Sequence, residues 1–427
     1  MVRYVGNEKP KLGLVLSGGG SKGAYEIGAC IALHRLGKKP SVVTGTSIGA
    51  INGLFVVQKN IRKALRLWKS ISFSKVYDED SFPVCENSDL TDIYKLYAKS
   101  FITEGGMDIG RIKAMFDTVY SPKKFFSSPI DYGLVTFNLS SNRPVFMTKA
   151  DLKPDTVKDY VLASASCYPA FKPYKIGDNL FIDGGYYDNL PINLAIQLGA
   201  EEIIAIDLRA VGFKRPNEKD VPITIISPRN KIVSFLVFDS VRSREAVKFG
   251  YNDVMKTYGV YDGNEFTFKK NNLIKNYNKY GEKFLDKAYS LMEGIDEGIL
   301  GKIVSSSIFQ SIVKDKLTYK NFNRLVEKAG FCFDFPEDNV YNIKTYNKGL
   351  LNELFKVTAI NLQEIGVKIK NRKFKEIVDV RPIIRLFYDA IAGNDVRSVV
   401  AFLPMFADEF LIALYLYVLK KSYHSIY

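Results

Sequence analysis

Histidine and cysteine are scarce in this chain of 427 residues. It contains 2 histidines, His34 and His424, and 4 cysteines that stand far apart with no C-x-x-C pair. This spacing is unlike that of a zinc site or a disulfide framework, and it is typical of a reducing compartment. We therefore expect a cytoplasmic protein without a bound metal, and export by a non-classical route stays open as an alternative.

Long apolar runs are also missing. The N-terminus lacks the apolar core and the cleavage pattern of a signal peptide. The best candidate for a membrane span, residues 399–419, carries Pro404, Asp408 and Glu409 in its middle, so its uninterrupted part falls well short of the ~20 residues that a spanning helix needs. We predict a buried helix there, with a helix lying against a membrane as the alternative.

Acidic residues are outnumbered by basic ones. The sequence has 60 lysines and arginines against 46 aspartates and glutamates, a net charge of +14. This excess favours an acidic partner, such as an anionic membrane surface contacted peripherally, and no motif points to nucleic acid. The densest basic patch, residues 368–375, is interpreted as the solvated face of a helix. Nothing in the sequence indicates an oligomeric state.

The pattern of apolar residues divides the chain into two parts. Over residues 1–256, short strand-like runs such as 11–17 and 41–46 alternate with helical periodicity, which predicts an α/β fold with helices layered on a sheet. The stretch 75–125 is interpreted as an irregular or helical insertion. After residue 257 the residues Asn, Lys, Tyr and Ile dominate, and we expect a mainly helical C-terminal region of unknown role over 257–427.

The stretch "SGGGSKG" at residues 17–23 fits three kinds of site. Its G-x-G-x-x-G spacing matches a dinucleotide-binding loop, but no Asp or Glu occurs from residue 27 to residue 77 to bind the ribose hydroxyls. Its G-x-S-x-G spacing around Ser21 matches a nucleophile elbow. Third, the run Gly18–Gly20 can turn its N–H groups outward to hold an oxyanion. A plain strand-to-helix turn is the remaining alternative.

A better elbow follows the second predicted strand. There "TGTSIGAI" places Ser47 between Gly45 and Gly49, at the junction of a strand and a helix. A nucleophile elbow is strained, so the residues two positions away on either side must be small. Three glycines precede Ser21, and a loop that flexible would hold a nucleophilic side chain poorly in position. We therefore predict Ser47 as the nucleophile, with the glycine amides of the neighbouring strand end as its oxyanion hole.

A nucleophilic serine needs a base, and neither histidine is suitably placed. His34 would lie ~16 Å along its helix from the glycine loop, and His424 lies near the end of the sequence. A Ser-His-Asp triad is therefore not expected, and a carboxylate acting directly on the serine replaces it. The strongest candidate is Asp183 in "FIDGGYYDNLP", because two glycines follow it and allow a sharp turn. A simple Asp-Gly hairpin turn is the alternative.

Taken together, "SGGGSKG", "GTSIGA" and "DGG" resemble the patatin-like phospholipases, and the resemblance extends over residues 11–256. It implies an α/β three-layer sandwich with a mainly parallel central sheet, and a Ser–Asp dyad that uses no cofactor. Carried over, Ser47 is the nucleophile, Asp183 is the general base and Lys22 is a basic substrate-binding position. The implied oxyanion hole consists of the amides of Gly18, Gly19 and Gly20.

The activity implied by this resemblance is hydrolysis of an acyl ester in a phospholipid or lysophospholipid, through an acyl-enzyme. The alternative is a catalytically silent scaffold of the same family that binds a lipid or a protein partner. Because an unperturbed aspartate, with a pKa of ~3.9, is a weak base, we expect burial to raise the pKa of Asp183. By the same argument, a pH–rate limb near the ~6.5 of imidazole would count against the dyad.

Overall fold

The computed structural model describes residues 10–76, 102, 105–232, 236–293, 309, 317–361 and 379–424. The chain forms two compact units, which divide between Thr257 and Tyr258. Much of the insertion expected at 75–125, and the whole basic patch at 368–375, lie outside the described residues.

Within the described residues, the first unit contains an 8-stranded sheet. Its strands are β1 (Leu12–Leu16), β2 (Val42–Thr46), β3 (Asp131–Asn138), β4 (Arg143–Thr148), β5 (Tyr174–Ile176), β6 (Asn179–Asp183), β7 (Glu202–Ile206) and β8 (Ile223–Ile226). The spatial order is β5-β6-β3-β2-β1-β7-β8, and β4 pairs with β3. Strands β3, β2, β1, β7 and β8 run parallel, whereas β4 and β6 are antiparallel to β3. The predicted mainly parallel sheet is confirmed.

Helices cover both faces of this sheet. Every residue of β1 and β2 is buried. Val42 packs in an apolar cluster with Ala195, while the next side chain, Val43, lies against Gly53 of a different helix. Successive strand side chains point to opposite faces, so the sheet lies between two helical layers. The helices of this unit are α1 (Gly23–Arg35), α2 (Ile48–Val57), Ile61–Lys69, Phe73–Val76, Gly110–Val119, Pro122–Phe126, Val157–Ser164, Ile192–Gln197 and Ser240–Thr257.

The helix Ser240–Thr257 packs directly on α1, and a glycine permits the close approach. A Cβ atom at Gly28 would lie 1.9 Å from the carbonyl oxygen of Val247, so no other residue fits there without moving a helix. On the same face of α1, the hydroxyl of Tyr25 donates a buried hydrogen bond to Asp253 at 2.9 Å. These contacts fix α1, the helix that follows the glycine-rich loop.

The second unit, taken by itself, is mainly helical around an apolar core. Its described helices are Asn272–Met292, Tyr319–Cys332, Ile343–Lys356, Arg381–Ala392 and Ala407–His424, and a small sheet joins Tyr261–Asp262, Thr267–Lys269 and Val340–Tyr341. Every side chain from Phe410 to Leu416 is buried in this core. The buried helix predicted within 399–419 is confirmed from Ala407 onward, a short 3-10 helix, Val400–Phe402, precedes it, and the membrane-facing alternative is wrong. Among the helices that the structure describes, none has both the length and the apolar composition to span a bilayer.

Candidate active site

Two loops emerge side by side at the carboxyl edge of the sheet. Strands β1 and β2 are parallel neighbours, with Leu16 paired to Gly45. The glycine-rich loop that follows β1 and the turn that follows β2 therefore lie at the same edge, where α/β folds commonly bind ligands. The two are in contact, because a Cβ atom at Gly18 would lie 3.2 Å from the Cβ of Ser47.

Ser47 occupies a strained turn between β2 and α2. Its φ of 56° and ψ of −124° lie in a region that residues other than glycine rarely adopt. The glycines on either side are required by space. A Cβ atom at Gly45 would lie 2.4 Å from the backbone of Gly49, and a Cβ atom at Gly49 would lie 2.3 Å from the carbonyl oxygen of Leu16. The G-x-S-x-G pattern is thus a packing requirement of this turn.

A buried serine anchors the backbone of the turn. The Ser47 N–H donates to the Oγ of Ser164 at 2.9 Å, and the Ser164 hydroxyl donates to the carbonyl oxygen of Val135 in β3 at 2.7 Å. Helix α2 begins at Ile48, so the Ser47 hydroxyl lies at the positive end of a helix. Sequence reasoning missed Ser164, because 117 residues separate it from Ser47 and no local pattern marks it.

Asp183 lies at the end of β6, and its carboxyl group lies close enough to the Ser47 side chain for that side chain to lower its pKa. The N–H of Gly185 donates to the Oδ1 of Asp183 at 2.7 Å. A Cβ atom at Gly184 would lie 2.1 Å from the carbonyl oxygen of Val135, so the first glycine is fixed by contact with β3. A short 3-10 helix, Gly184–Tyr186, follows the aspartate. The hairpin-turn alternative is therefore wrong.

Burial sets the protonation of this carboxyl group. Asp183 is 5% exposed, and burial raises its pKa to about 6, although the Ser47 side chain and the hydrogen bond from the Gly185 amide act in the opposite direction. The expected direction of the pKa shift is confirmed. The expectation that a pH–rate limb near that of imidazole would count against the dyad is wrong, because a carboxyl group that titrates near pH 6 gives a limb close to it. A pH–rate limb there is compatible with Asp183.

The glycine-rich loop has two amides available where three were expected. The Gly18 N–H donates to the carbonyl oxygen of Asn189 at 3.0 Å, and the Asn189 side chain donates to the Gly18 carbonyl oxygen at 3.3 Å. The Gly18 amide is thus already engaged, which corrects the three-amide expectation. Within the described part of the chain, the N–H groups of Gly19 and Gly20 have no acceptor, and both residues line a cavity. Gly20 has a φ of 54°, in the left-handed region that favours glycine.

Residues 14–196, which contain both loops and Asp183, match the family model of patatin-like phospholipases. These residues form a patatin-like phospholipase domain. The resemblance stated from the three motifs is therefore confirmed, and the family match ends before the last strands of the first unit.

The curated relatives of this patatin-like domain are much longer proteins. Lysophospholipase NTE1 of Meyerozyma guilliermondii is 29% identical over 224 residues, which are 51% of this chain and 14% of the relative. Patatin-like phospholipase domain-containing protein 7 of Rattus norvegicus is 26% identical over 200 residues, which are 46% of this chain and 13% of the relative. Among solved structures, VipD from Legionella pneumophila aligns with a TM-score of 0.39 and 14% identity, covering 96% of this chain and 92% of that one.

An apolar cavity of the first unit lies beside Ser47 and Asp183. Its volume is about 790 Å³. The wall is built mainly from apolar side chains of several helices and loops, among them Ile51, Phe55, Leu67, Trp68, Ile71, Ile112, Met115, Phe171, Leu236 and Phe238. A cavity of this size and character favours a hydrocarbon chain over a charged group. Sequence reasoning missed these residues, because they are distant in the chain and share no spacing.

Three other polar residues singled out from the sequence lie away from this cavity. Lys22 is half-buried and does not line it. Burial lowers the pKa of Lys22, and the charge of Asp207 opposes that shift. Its expected role in substrate binding stays a prediction. Ser21 is fully buried and does not line the cavity either, which leaves Ser47 as the serine at the site. His34 is exposed near the end of α1.

Proposed function

We propose that this protein is a lipid acyl hydrolase of the phospholipase A or lysophospholipase type, which cleaves carboxylic esters through Ser47 and Asp183. The observation that carries the proposal is a serine in a strained elbow beside a buried aspartate whose pKa its side chain lowers, both at the wall of an apolar cavity. The patatin-like domain supports the same class of reaction.

The chemistry follows from the groups at the site. Asp183, ionised above a pH of about 6, takes the proton of the Ser47 hydroxyl as its oxygen attacks the ester carbonyl carbon. The amides of Gly19 and Gly20 stabilise the negative charge that develops on the carbonyl oxygen. The protonated Asp183 then donates to the departing alcohol, which leaves an acyl-enzyme. Water repeats the sequence and releases the fatty acid.

The substrate class rests on the cavity and on the relatives. An apolar cavity of about 790 Å³ offers burial to a fatty acyl chain, and each buried CH₂ group contributes ~0.8 kcal/mol. Relatives of the patatin-like domain are named lysophospholipases. We therefore assign a lysophospholipid as the first substrate to test, with a diacyl phospholipid as the second.

Release of fatty acid from lysophosphatidylcholine tests this proposal. Ser47→Ala and Asp183→Asn should each lower kcat by at least ~10³-fold, because each removes a group that acts in the transition state. Ser141→Ala and Asp178→Asn change exposed residues in turns of the same sheet and serve as matched controls with wild-type activity. Folded wild-type protein that binds lipid and releases no fatty acid from either substrate would instead indicate a silent scaffold.

A further inference from the structure

The loop that follows β7 exposes large apolar side chains beside the cavity. We call residues 209–215 the 209–215 loop. Its Val211 is 92% exposed and its Phe213 is 66% exposed, and Val211 is the most exposed large apolar side chain among the described residues. Both residues also line the cavity that contains Ser47. Exposed apolar side chains at such a position mark an interaction surface rather than ordinary scatter.

Basic side chains flank these apolar residues. Arg209, Lys214 and Arg215 are all exposed. Lys214 pairs with Asp207 at 2.6 Å, and the charge of Arg215 acts on the buried carboxyl group of Asp188, so three basic side chains face two acidic ones. The acidic residues that come next in the chain, Glu218 and Asp220, lie beyond the loop. The loop therefore presents an apolar tip within a basic surround, which is the pattern of a segment that enters the interface of an anionic membrane.

The position of Arg215 is fixed before any partner arrives. Its guanidinium lies 3.7 Å from the ring centroid of Tyr187, and its Nε donates to the Tyr187 carbonyl oxygen at 3.2 Å. The Tyr187 ring in turn packs edge-to-face on Phe146. A guanidinium held in this way loses little conformational freedom when it binds a lipid phosphate.

Main-chain hydrogen bonds tie the loop to the segment that follows Asp183 and, through Asn189, to the glycine-rich loop. The Phe213 N–H donates to the carbonyl oxygen of Gly185 at 2.9 Å, and the Asn189 N–H donates to the carbonyl oxygen of Phe213 at 2.6 Å. Asn189 also accepts the Gly18 amide. A Cβ atom at Gly212 would lie 2.7 Å from the Cβ of Asn189, so the loop lies directly on that residue. The exposed tip therefore has a set position relative to the cavity and the reacting groups.

We propose that the 209–215 loop docks the patatin-like domain on an anionic bilayer. Val211 and Phe213 enter the boundary between head groups and acyl chains, and Arg209 and Arg215 contact lipid phosphates. This geometry turns the cavity toward the bilayer, so that an acyl chain passes to Ser47 without crossing water. The delivery of substrate rests on the proposed acyl hydrolysis, but the docking itself does not.

Vesicle binding tests the docking without requiring turnover. The full chain is prepared with Ser47→Ala, which leaves the lipid intact, and is floated with phosphatidylcholine vesicles with and without phosphatidylserine. We expect binding to the phosphatidylserine vesicles that falls at least ~10-fold in the double variant Val211→Ser/Phe213→Ser, and that weakens with added salt and in Arg209→Gln/Arg215→Gln. Val241→Ser, which is 57% exposed on a helix of the same unit, is the matched control and should bind as the parent does.

A second measurement reports insertion directly. Phe213→Trp should show blue-shifted emission with vesicles and quenching by brominated lipids, whereas Val241→Trp should show neither. Equal vesicle binding in all variants, or self-association through Phe213 without lipid binding, would overturn the proposal and leave the acyl hydrolysis to stand on its own assay. Loop-dependent binding by a protein that releases no fatty acid would support the docking and overturn the proposed hydrolysis.

Discussion

At the scale of single residues, the site places a serine next to an aspartate. An aspartate is ordinarily a weak base, and its surroundings here raise its pKa. Asp183 is buried against Ser47, and burial raises its pKa to about 6. A carboxylate with this pKa is ionised at neutral pH and still accepts a proton more readily than an exposed aspartate. In the proposed mechanism, Asp183 supplies the base without an imidazole, and His34 lies exposed near the end of α1.

The pH dependence of ester hydrolysis should follow this carboxyl group. We expect kcat/KM to rise through a pH of about 6 as Asp183 loses its proton, and then to level off. A soluble short-chain ester, assayed from about pH 4 to pH 9, gives the profile of the free enzyme. His34→Gln should leave the limb in place. A limb that persists in the residual activity of Asp183→Asn, or that His34→Gln removes, would contradict the assignment.

A second buried carboxyl group lies behind the site. Glu26 of α1 is fully buried, and its Oε2 accepts a hydrogen bond from the Asn52 side chain at 2.8 Å. Burial raises the pKa of Glu26 well above its ordinary value, and the Asn52 bond opposes this only in part. The unfolded chain releases this proton near pH ~4.3, whereas the folded protein retains it. The folded state then binds more protons, so stability falls as the pH rises above that value.

Glu26→Gln should therefore stabilise the protein, and more so at higher pH. Glutamine keeps the shape and the bond from Asn52 but has no proton to lose. We expect nearly equal Tm values for the variant and the wild type at about pH 4, and a higher Tm for the variant at about pH 8. Calorimetry at both pH values measures the difference. A Tm difference that does not grow with pH would show that Glu26 is not held neutral in the fold.

At the scale of elements, the sequence predicts those strands, helices and turns that depend on a local pattern of residues. The spacing of apolar residues and the positions of glycines predict β1, α1, β2 and α2. The small residues two positions before and after Ser47 predict the elbow. The engagement of the Gly18 amide could not be predicted, because its acceptor is the backbone of Asn189, a residue 171 positions away. That Lys22 does not line the cavity likewise depends on tertiary packing, which the spacing of residues in the sequence does not predict.

The contact between α1 and the helix Ser240–Thr257 yields a test at this scale. Alanine is ordinarily favoured over glycine inside a helix by ~1 kcal/mol. At Gly28, however, a Cβ atom would lie 1.9 Å from the carbonyl oxygen of Val247. Gly28→Ala should therefore lower the free energy of unfolding by about 1–3 kcal/mol, as overpacked substitutions do. Chemical denaturation measures this, with His34→Ala on exposed α1 surface as control. A stability equal to or above wild type would show that the two helices are not in contact there.

At the scale of the whole molecule, the placement of apolar residues separates core from surface. The longest apolar stretch of the sequence lies inside the second unit, where Phe410–Leu416 are buried. Large apolar side chains in the 209–215 loop are exposed instead, beside the cavity and among arginines. The contact with an anionic membrane that the net charge of +14 led us to expect is therefore proposed for the first unit.

The assignment of Ser47 as the nucleophile, with Asp183 as its base, is the central claim. The measurement that tests it most directly is labelling of the folded 427-residue chain by a fluorophosphonate, with the adduct located by peptide mass spectrometry. We predict a single adduct on Ser47, formed at least ~10²-fold more slowly in Asp183→Asn and unaffected in Asp178→Asn. An adduct on Ser21, or labelling of Ser47 at an unchanged rate in Asp183→Asn, would contradict it.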